Sequence, residues 1–387
     1  MTKIEVIFEV ADTAITQRPI IAITGSAGKT TTKEMIASIL QNRWKTFKSY
    51  QNGNDVWFTS QYAKQLDPSY KAVVLEYGMR YSGDITKHCQ LIQPNIGIIT
   101  NVGSAHIGNF NDRGIAGVAS AKSELILNIM PKGLLLLNGD DVNSKLLNVQ
   151  GFKGEIITVG FTKEANYYAS QIAYTETGMI FQVPINGIDY TYKIPVFGKH
   201  NVYNALFAIA LADRLGFTFN EIQLGLETYG KNYPDYYKLN VQRFKDEITL
   251  ISYTYDAKPN AVKAAIDVLD NIGEGKNIAF LGHMVELGNY SVEEHKKIGR
   301  YVAAKKNIHY LYTFGQDGKY IGQGAAASGF PKDHIVDIPT IDQFVQTVKE
   351  SLKPETTILL MGFLCNKESN EIELYETVKL IGSILSN

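Results

Sequence analysis

Residues 20–39 read IIAITGSAGKTTTKEMIASI, and this stretch decides the fold of the first part of the chain. An apolar, β-branched run leads into a turn bounded by Gly25 and Gly28, and a helical pattern begins at Lys29. A strand, a glycine-bounded loop and a helix in this order are typical of a phosphate-binding loop, where backbone N–H groups and the helix dipole face a polyphosphate. Lys29 would add a point charge, and Thr30 would offer a hydroxyl to Mg²⁺. The pattern predicts ATP binding.

The loop departs from the usual P-loop spacing, which would place a glycine at position 23, where this chain has Ile23. It is therefore a short Thr-Gly-x-x-Gly-Lys-Thr loop. An ordinary turn is the alternative, but three consecutive threonines between a β-branched strand and a helix disfavour it. The predicted nucleotide-binding residues of the loop are Thr24, Gly25, Ser26, Ala27, Gly28, Lys29, Thr30 and Thr31.

Composition narrows the class of protein. Lys and Arg number 38 against 39 Asp and Glu in 387 residues, so no basic excess indicates binding to nucleic acid or to an anionic membrane surface. The two cysteines, Cys89 and Cys365, lack metal-ligand spacing and fit a reducing compartment. No signal pattern opens the chain, and no apolar run reaches the ~20 residues of a membrane span. These features predict a cytoplasmic protein with no membrane and no nucleic-acid partner.

Strands and helices alternate after the loop, which predicts an α/β fold with a doubly wound, mostly parallel sheet. The pattern changes to period-two alternation over residues 155–195, which predicts an antiparallel insert. Residues 200–204 are expected to open a helix that continues over 205–215 and ends at Gly216. The strands expected before the insert are at 44–50, 71–78, 96–101 and 133–138.

Gly230 and Pro234 mark the best domain boundary. We expect a P-loop ATP-binding domain over 1–231 and a Rossmann-like domain over 232–387. The second domain lacks the Gly-x-Gly-x-x-Gly signature. Its expected strands and helices are at 248–253, 261–270, 277–281, 291–305, 309–314, 342–352 and 356–361.

Glu76 ends an apolar strand, and ligands of open α/β sheets bind at such ends. A single carboxylate there is usually only solvated. Beside a P-loop, however, Glu76 and Thr30 form the obvious pair of oxygen ligands for a nucleotide-bound Mg²⁺.

Several motifs resemble those of the Mur ligases, and their order and spacing match over residues ~20 to 380. The resemblance is strongest to the branch of the family that adds D-alanyl-D-alanine. The segments that carry it are TGSAGKTTTK from Thr24, VLEYGMR around Glu76 with GDI at 83–85, PNIGIITNVGSAH ending at His106, AKSE around Lys122, GKHNVYNA with Asn201 and Asn204, and FLGHMVELG with Glu286, followed by His295.

The resemblance implies an ATP-dependent amide ligase that phosphorylates a carboxylate to an acyl phosphate, which an amine then attacks. It implies that Lys29 holds the phosphates, that Thr30 and Glu76 hold one Mg²⁺, and that His106 holds a second. It further implies that Lys122 is carbamylated and takes part in catalysis with Lys29 and His106. Further nucleotide contacts are implied for Asn201, Asn204, Lys238, Asp256 and Lys258.

Some positions depart from the family pattern. We expect the family's N-terminal domain, which binds the UDP-sugar, to be absent, because little sequence precedes Thr24. An acidic motif position is Tyr253, and a motif arginine is Lys238, with Arg243 as a rival. The late Lys-Gly-Ser motif starts at Met361.

The sequence therefore predicts an ADP-forming ligase that acts on an amino acid or a small peptide-like acid and an amine. The acid could also be presented by a carrier or partner protein. Three alternatives stay open: the UDP-N-acetylmuramoyl-tripeptide–D-alanyl-D-alanine ligation of peptidoglycan synthesis, a non-catalytic nucleotide-binding partner, and a plain P-loop NTPase or kinase.

Overall fold

The computed structural model describes residues 18–229, 239–253 and 257–362. Its first sheet has seven strands in the order β2-β3-β1-β4-β5-β6-β7, and every ladder is parallel. The elements are β1 (Ile20–Thr24), α1 (Lys29–Gln41), β2 (Thr46–Lys48), α2 (Val56–Gln65), β3 (Ala72–Glu76), α3 (Asp84–Leu91), β4 (Ile96–Ile99), α4 (Gly114–Asn128), β5 (Leu134–Asn138), β6 (Glu155–Gly160) and β7 (Tyr167–Tyr168).

A separate antiparallel sheet follows, made of β8 (Ser170–Tyr174), β9 (Met179–Ile185) and β10 (Ile188–Ile194). Asn186 and Gly187 join its last two strands, and both have positive φ, as a two-residue hairpin turn requires. The prediction that antiparallel pairing begins at residue 155 is wrong, because β6 pairs parallel with β5. Only one side of β6 is deeply buried, so its sequence alternates in the same way as an antiparallel strand.

Two helices cover one face of the first sheet: α5 (Lys199–Arg214) and α6 (Phe219–Thr228). Helix α5 begins at Lys199, one residue before the segment expected to open it, and follows Gly198, whose φ is 98°. Both helices pack against α1 in a common apolar core with β1 and β4. This packing fixes the helix that starts at the phosphate loop.

The second large sheet has six strands in the order β11-β12-β16-β13-β14-β15, and only β11 runs antiparallel to its neighbour. This is the Rossmann-like pattern expected. Its elements are β11 (Asn240–Arg243), β12 (Thr249–Tyr253), α7 (Pro259–Ile272), β13 (Lys276–Leu281), α8 (Ser291–Ala303), β14 (Tyr310–Phe314), α9 (Lys319–Ala327), β15 (Ile335–Ile338), α10 (Ile341–Ser351) and β16 (Thr356–Met361).

The sequence did not predict α9, and close helix packing explains why. A Cβ on Gly324 would lie 2.2 Å from the carbonyl oxygen of Lys296, and a Cβ on Gly299 would lie 2.0 Å from that of Ile321. Glycines therefore let α8 and α9 approach each other, although they weaken the helical signal in the sequence.

The predicted domain limit at residue 231 lies outside the described residues and stays a prediction. The two parts of the chain on either side of it contact each other directly. Ser104 Oγ donates to Glu294 Oε2 at 2.7 Å, and the Arg243 guanidinium donates to the Glu176 carbonyl at 2.8 Å. Among the described residues, no helix is long and apolar enough to cross a membrane.

Gly225 provides a test of the packing behind the P-loop helix. It is buried in α6, and a Cβ there would lie 2.5 Å from the Cα atom of Ile39 in α1. Gly225→Ala should therefore lower the free energy of unfolding by about 1–3 kcal/mol, measured by urea denaturation. Helix propensity alone predicts that the substitution raises the free energy of unfolding by up to ~1 kcal/mol. The sign of the measured change therefore distinguishes the packing clash from helix propensity.

The neighbouring Leu224 is half exposed, and Leu224→Ala should change the stability by less than about 0.5 kcal/mol. A Gly225→Ala variant at least as stable as the wild type would contradict this packing.

Candidate active site

The phosphate loop requires both of its glycines. Gly25 has φ 150° and Gly28 has φ 83°, and Gly28 directly precedes the first residue of α1, Lys29. A Cβ on Gly25 would lie 1.8 Å from Thr100 Oγ1, and one on Gly28 would lie 2.4 Å from Asn204 Oδ1. The loop is therefore pressed between the end of β4 and helix α5.

Asn101, which follows β4, holds the loop in shape. Its side chain accepts from the Ala27 N–H at 3.1 Å and donates to the Ala27 carbonyl at 2.9 Å, while its own carbonyl accepts from the Ser26 N–H at 3.1 Å. The amides of Ser26 and Ala27 are thus occupied. In an α-helix the first N–H groups have no intrahelical partner, so the amides at the start of α1 are the ones left to face an anion.

Glu76 ends β3 and is almost fully buried, with 2% of its surface exposed. Its Oε2 accepts from Thr30 Oγ1 at 2.7 Å, and its Oε1 accepts from Asn54 Nδ2 at 2.7 Å. The structure therefore joins the two residues that the sequence paired as oxygen ligands. Asn54 was not predicted, although it lies in the polar segment 51–55 that follows β2.

Lys122 lies in α4 and is 1% exposed. Burial, reinforced by the charge of Lys29, holds the pKa of the Lys122 amine well below its usual value. Lys29 itself lines the cavity described below and has no hydrogen-bond or ion-pair partner among the residues described. The charge of Lys29 therefore disfavours an ammonium at Lys122.

His106 follows β4 of the first sheet and contacts a residue that follows β13 of the second large sheet. Its Nδ1 lies 2.8 Å from Glu286 Oε2, and Glu286 also pairs with Lys258. Burial lowers the pKa of His106, although the contact with Glu286 opposes this shift. Burial alone would raise the pKa of the Glu286 carboxyl, but His106 and Lys258 hold it below its usual value. Sequence reasoning assigned no role to Glu286, although it lies within the ELG segment that carries the resemblance.

A cavity of about 1040 Å³ opens between the sheets and receives side chains from both. This volume is slightly above the roughly 300–1,000 Å³ typical of ligand pockets. It gives room for a nucleotide together with other reactants. Its lining includes Lys29, Thr30, Glu76, His106, Asn201 and Asn204 from one side, and Tyr253, Lys258, Asn260 and Glu286 from the other.

The remaining predicted site residues fall into three groups. Asn201 and Asn204 line the cavity but also serve the fold, since Asn204 Nδ2 donates to Asn201 Oδ1 at 3.0 Å. Thr24 and Gly25 lie behind the loop and do not line the cavity. Lys238 and Asp256 lie outside the described residues. No group of three or more His, Cys, Asp or Glu side chains suited to a metal ion occurs within the described ranges.

Comparisons with known proteins agree with the fold and the motifs. A family model for the Mur ligase middle domain matches residues 23–212, and a model for the Mur ligase glutamate ligase domain matches residues 239–364. The UDP-N-acetylmuramoyl-tripeptide–D-alanyl-D-alanine ligase of Bacillus subtilis is 32% identical over 369 residues, covering 95% of this chain and 77% of the relative. The enzyme of that name from Escherichia coli is 30% identical, covering 82% of this chain and 68% of the relative.

Solved structures of Mur ligases also resemble this chain. A crystal structure of MurF from Acinetobacter baumannii has a TM-score of 0.81 and 26% identity, covering 95% of this chain and 77% of that one. MurF from Thermotoga maritima in complex with ADP has a TM-score of 0.78 at 20% identity, covering 96% of this chain and 81% of that one, and shows a shared fold. The matches span both large sheets and the cavity between them. The chain belongs to the Mur ligase family of ATP-dependent, amide-forming ligases.

Proposed function

We propose that the chain joins UDP-N-acetylmuramoyl-tripeptide to D-alanyl-D-alanine and releases ADP and phosphate. The observation that carries the chemistry is the cavity in which the phosphate loop and Glu76 meet side chains from the second large sheet. The observation that supports the substrates is the 32% identity to a ligase of that name over 95% of the chain.

ATP would bind with its phosphates at the start of α1. The ammonium of Lys29 and the amides at the start of α1 provide a positive environment for the β- and γ-phosphates. Asn201 and Asn204 line the same cavity and would lie near the nucleotide. Lys258 is a candidate for a phosphate contact from the second sheet, and Lys238 and Asp256 remain predicted nucleotide contacts.

The residues present fit a nucleotide-bound Mg²⁺. Thr30 and Glu76 offer hard oxygen ligands that already lie together, and the Glu76 carboxylate is buried at the edge of the phosphate site. His106 would serve a second ion. Bound Mg²⁺ would neutralise the charge that develops on the phosphates.

Lys122 fits the role of a carbamylated lysine. Because its pKa is held far below the usual value, its neutral amine is available to attack the carbon of CO₂. A nitrogen–carbon bond forms, one proton leaves to water, and the side chain becomes a carbamate anion. An anion beside Lys29 is electrostatically favourable there, whereas a second ammonium is not.

The reaction then proceeds in two transfers. A carboxylate oxygen of the acid attacks the γ-phosphorus, and the bond to the bridging oxygen of ADP breaks. The amine attacks the resulting acyl carbon, loses a proton, and displaces phosphate. Lys29 would stabilise the charge on the transferred group, and closure of the cavity by the second sheet would exclude water from the acyl phosphate.

The expectation of a smaller acid rested on the short segment before Thr24, and nothing in the described residues bears on it. The named relatives favour the larger acid. A non-catalytic partner is disfavoured, because Lys29, Glu76 and His106 line the cavity together with Tyr253, and Lys122 is buried in α4.

An ADP-release assay tests the proposal. The purified chain should release ADP only when UDP-N-acetylmuramoyl-tripeptide, D-alanyl-D-alanine, ATP and Mg²⁺ are all present, and mass spectrometry should detect the amide product. Lys29→Ala should lower kcat roughly 10²- to 10³-fold, because it removes the charge at the phosphates. Lys64→Ala, at an exposed lysine of α2, is the matched control and should retain full activity.

A parallel reaction should contain the tripeptide without its nucleotide sugar. Turnover of that acid alone would replace the proposed acid with the smaller one. Absence of any acid-dependent ADP release would contradict the ligase proposal itself.

Lys122 provides a second test. Lys122→Ala should lower kcat roughly 10- to 100-fold, because the carbamate is lost, and added formate or acetate should restore part of the activity. Lys29→Ala is the matched control: a small carboxylate should not rescue it, since that position requires a cation. An intact mass without the 44 Da of bound CO₂ in fully active wild-type protein at saturating bicarbonate would contradict carbamylation.

A further inference from the structure

The segment after β13 reaches from the second large sheet into the first. Glu286 has φ 62°, a conformation that non-glycine residues rarely adopt. Its carbonyl accepts from the Gly108 N–H at 3.4 Å, and a Cβ on Gly108 would lie 2.7 Å from the Gly288 nitrogen. The two backbones therefore touch at glycines, and this contact brings the Glu286 side chain to His106.

The Glu286 carboxylate lies between two basic side chains. Its Oε2 is 2.8 Å from His106 Nδ1 and also pairs with the buried Lys258. At 2.8 Å this contact is a close polar approach and not a well-aligned hydrogen bond. Such contacts in ligand-free sites often tighten when the reactants bind.

We propose that Glu286 is a positioning residue that holds the Nδ1–H of His106 and thereby presents Nε2 to the second metal ion. The proposal rests on the proposed function only for the identity of that metal. A histidine that binds a metal through one nitrogen commonly donates its other N–H to a carboxylate, which fixes both the tautomer and the orientation of the ring.

The position of Glu286 couples the tautomer of His106 to the docking of the two parts of the chain. His106 belongs to the first sheet's part of the chain and Glu286 to the second, so the tautomer is fixed only when the two parts are docked. Lys258 pairs with the same oxygen of the Glu286 carboxylate that lies against His106. The metal site and the docked arrangement therefore stabilise each other.

A second carboxylate across the same interface supplies a matched control. Glu294 accepts from Ser104 Oγ at 2.7 Å, pairs with Lys297 at 2.7 Å, and is buried. Glu294→Gln weakens the interface without removing the contact to the imidazole. If Glu286 had a purely structural role, Glu286→Asp and Glu294→Gln would have the same effect on the His106 tautomer and on metal affinity.

The test measures the imidazole itself in the full chain without metal. Side-chain ¹⁵N spectra should show His106 as the Nδ1–H tautomer in the wild type, with the signal assigned by its loss in His106→Gln. Glu286→Asp is one methylene shorter and should lose that preference. Its affinity for Mn²⁺ in the presence of ADP, measured by electron paramagnetic resonance, should fall roughly 10- to 100-fold.

Glu286→Gln keeps the length and an acceptor oxygen, so it should retain the tautomer and lose less Mn²⁺ affinity than Glu286→Asp. Glu294→Gln should change neither measurement. An Nε2–H tautomer in the wild type would overturn the proposal even if a variant failed to fold, and so would equal effects of Glu294→Gln and Glu286→Asp. Neither measurement needs the acid or the amine, so a failed ligation assay would leave this result standing.

Discussion

The candidate site depends on the parallel register that ends β1, β3 and β4 at one level of the first sheet. Ile23 pairs with Glu76, and Thr24 pairs with Ile99. The phosphate loop, the buried carboxylate and the Asn101 segment therefore leave the sheet side by side. A register shift of β3 by one residue would separate Thr30 from Glu76 and would turn each side chain of β3 to the opposite face of the sheet.

The elements around the phosphate loop could be predicted because their signals lie in short stretches of sequence. The glycines of the phosphate loop, the helix that starts at Lys29 and the strand that ends at Glu76 each have a strong signal within a few residues. The resemblance to the Mur ligases added Lys122 and His106. His106 lines the cavity, and Lys122 is buried in α4, where burial and the charge of Lys29 lower the pKa of its amine. The alternating sequence pattern of β6 led to the wrong prediction of antiparallel pairing. A parallel strand near a sheet edge has the same period as an antiparallel strand.

The missed residues depend on contacts between distant parts of the chain. Asn101 takes the amides of Ser26 and Ala27, which reasoning from the loop alone had assigned to phosphate. Asn54 orients Glu76 from a loop that follows β2, the strand next to β3. Glu286 reaches His106 from 180 residues further along the chain. No local pattern reports such pairs, since each partner alone resembles an ordinary polar side chain of a loop.

The central claim of the account is that the acid's carboxylate becomes an acyl phosphate in the cavity between the two large sheets. The most direct measurement follows the oxygen of that carboxylate. With an acid labelled with ¹⁸O in the reacting carboxylate, the account predicts that each turnover places one labelled oxygen in the released phosphate. Product formation with unlabelled phosphate would contradict an acyl phosphate intermediate.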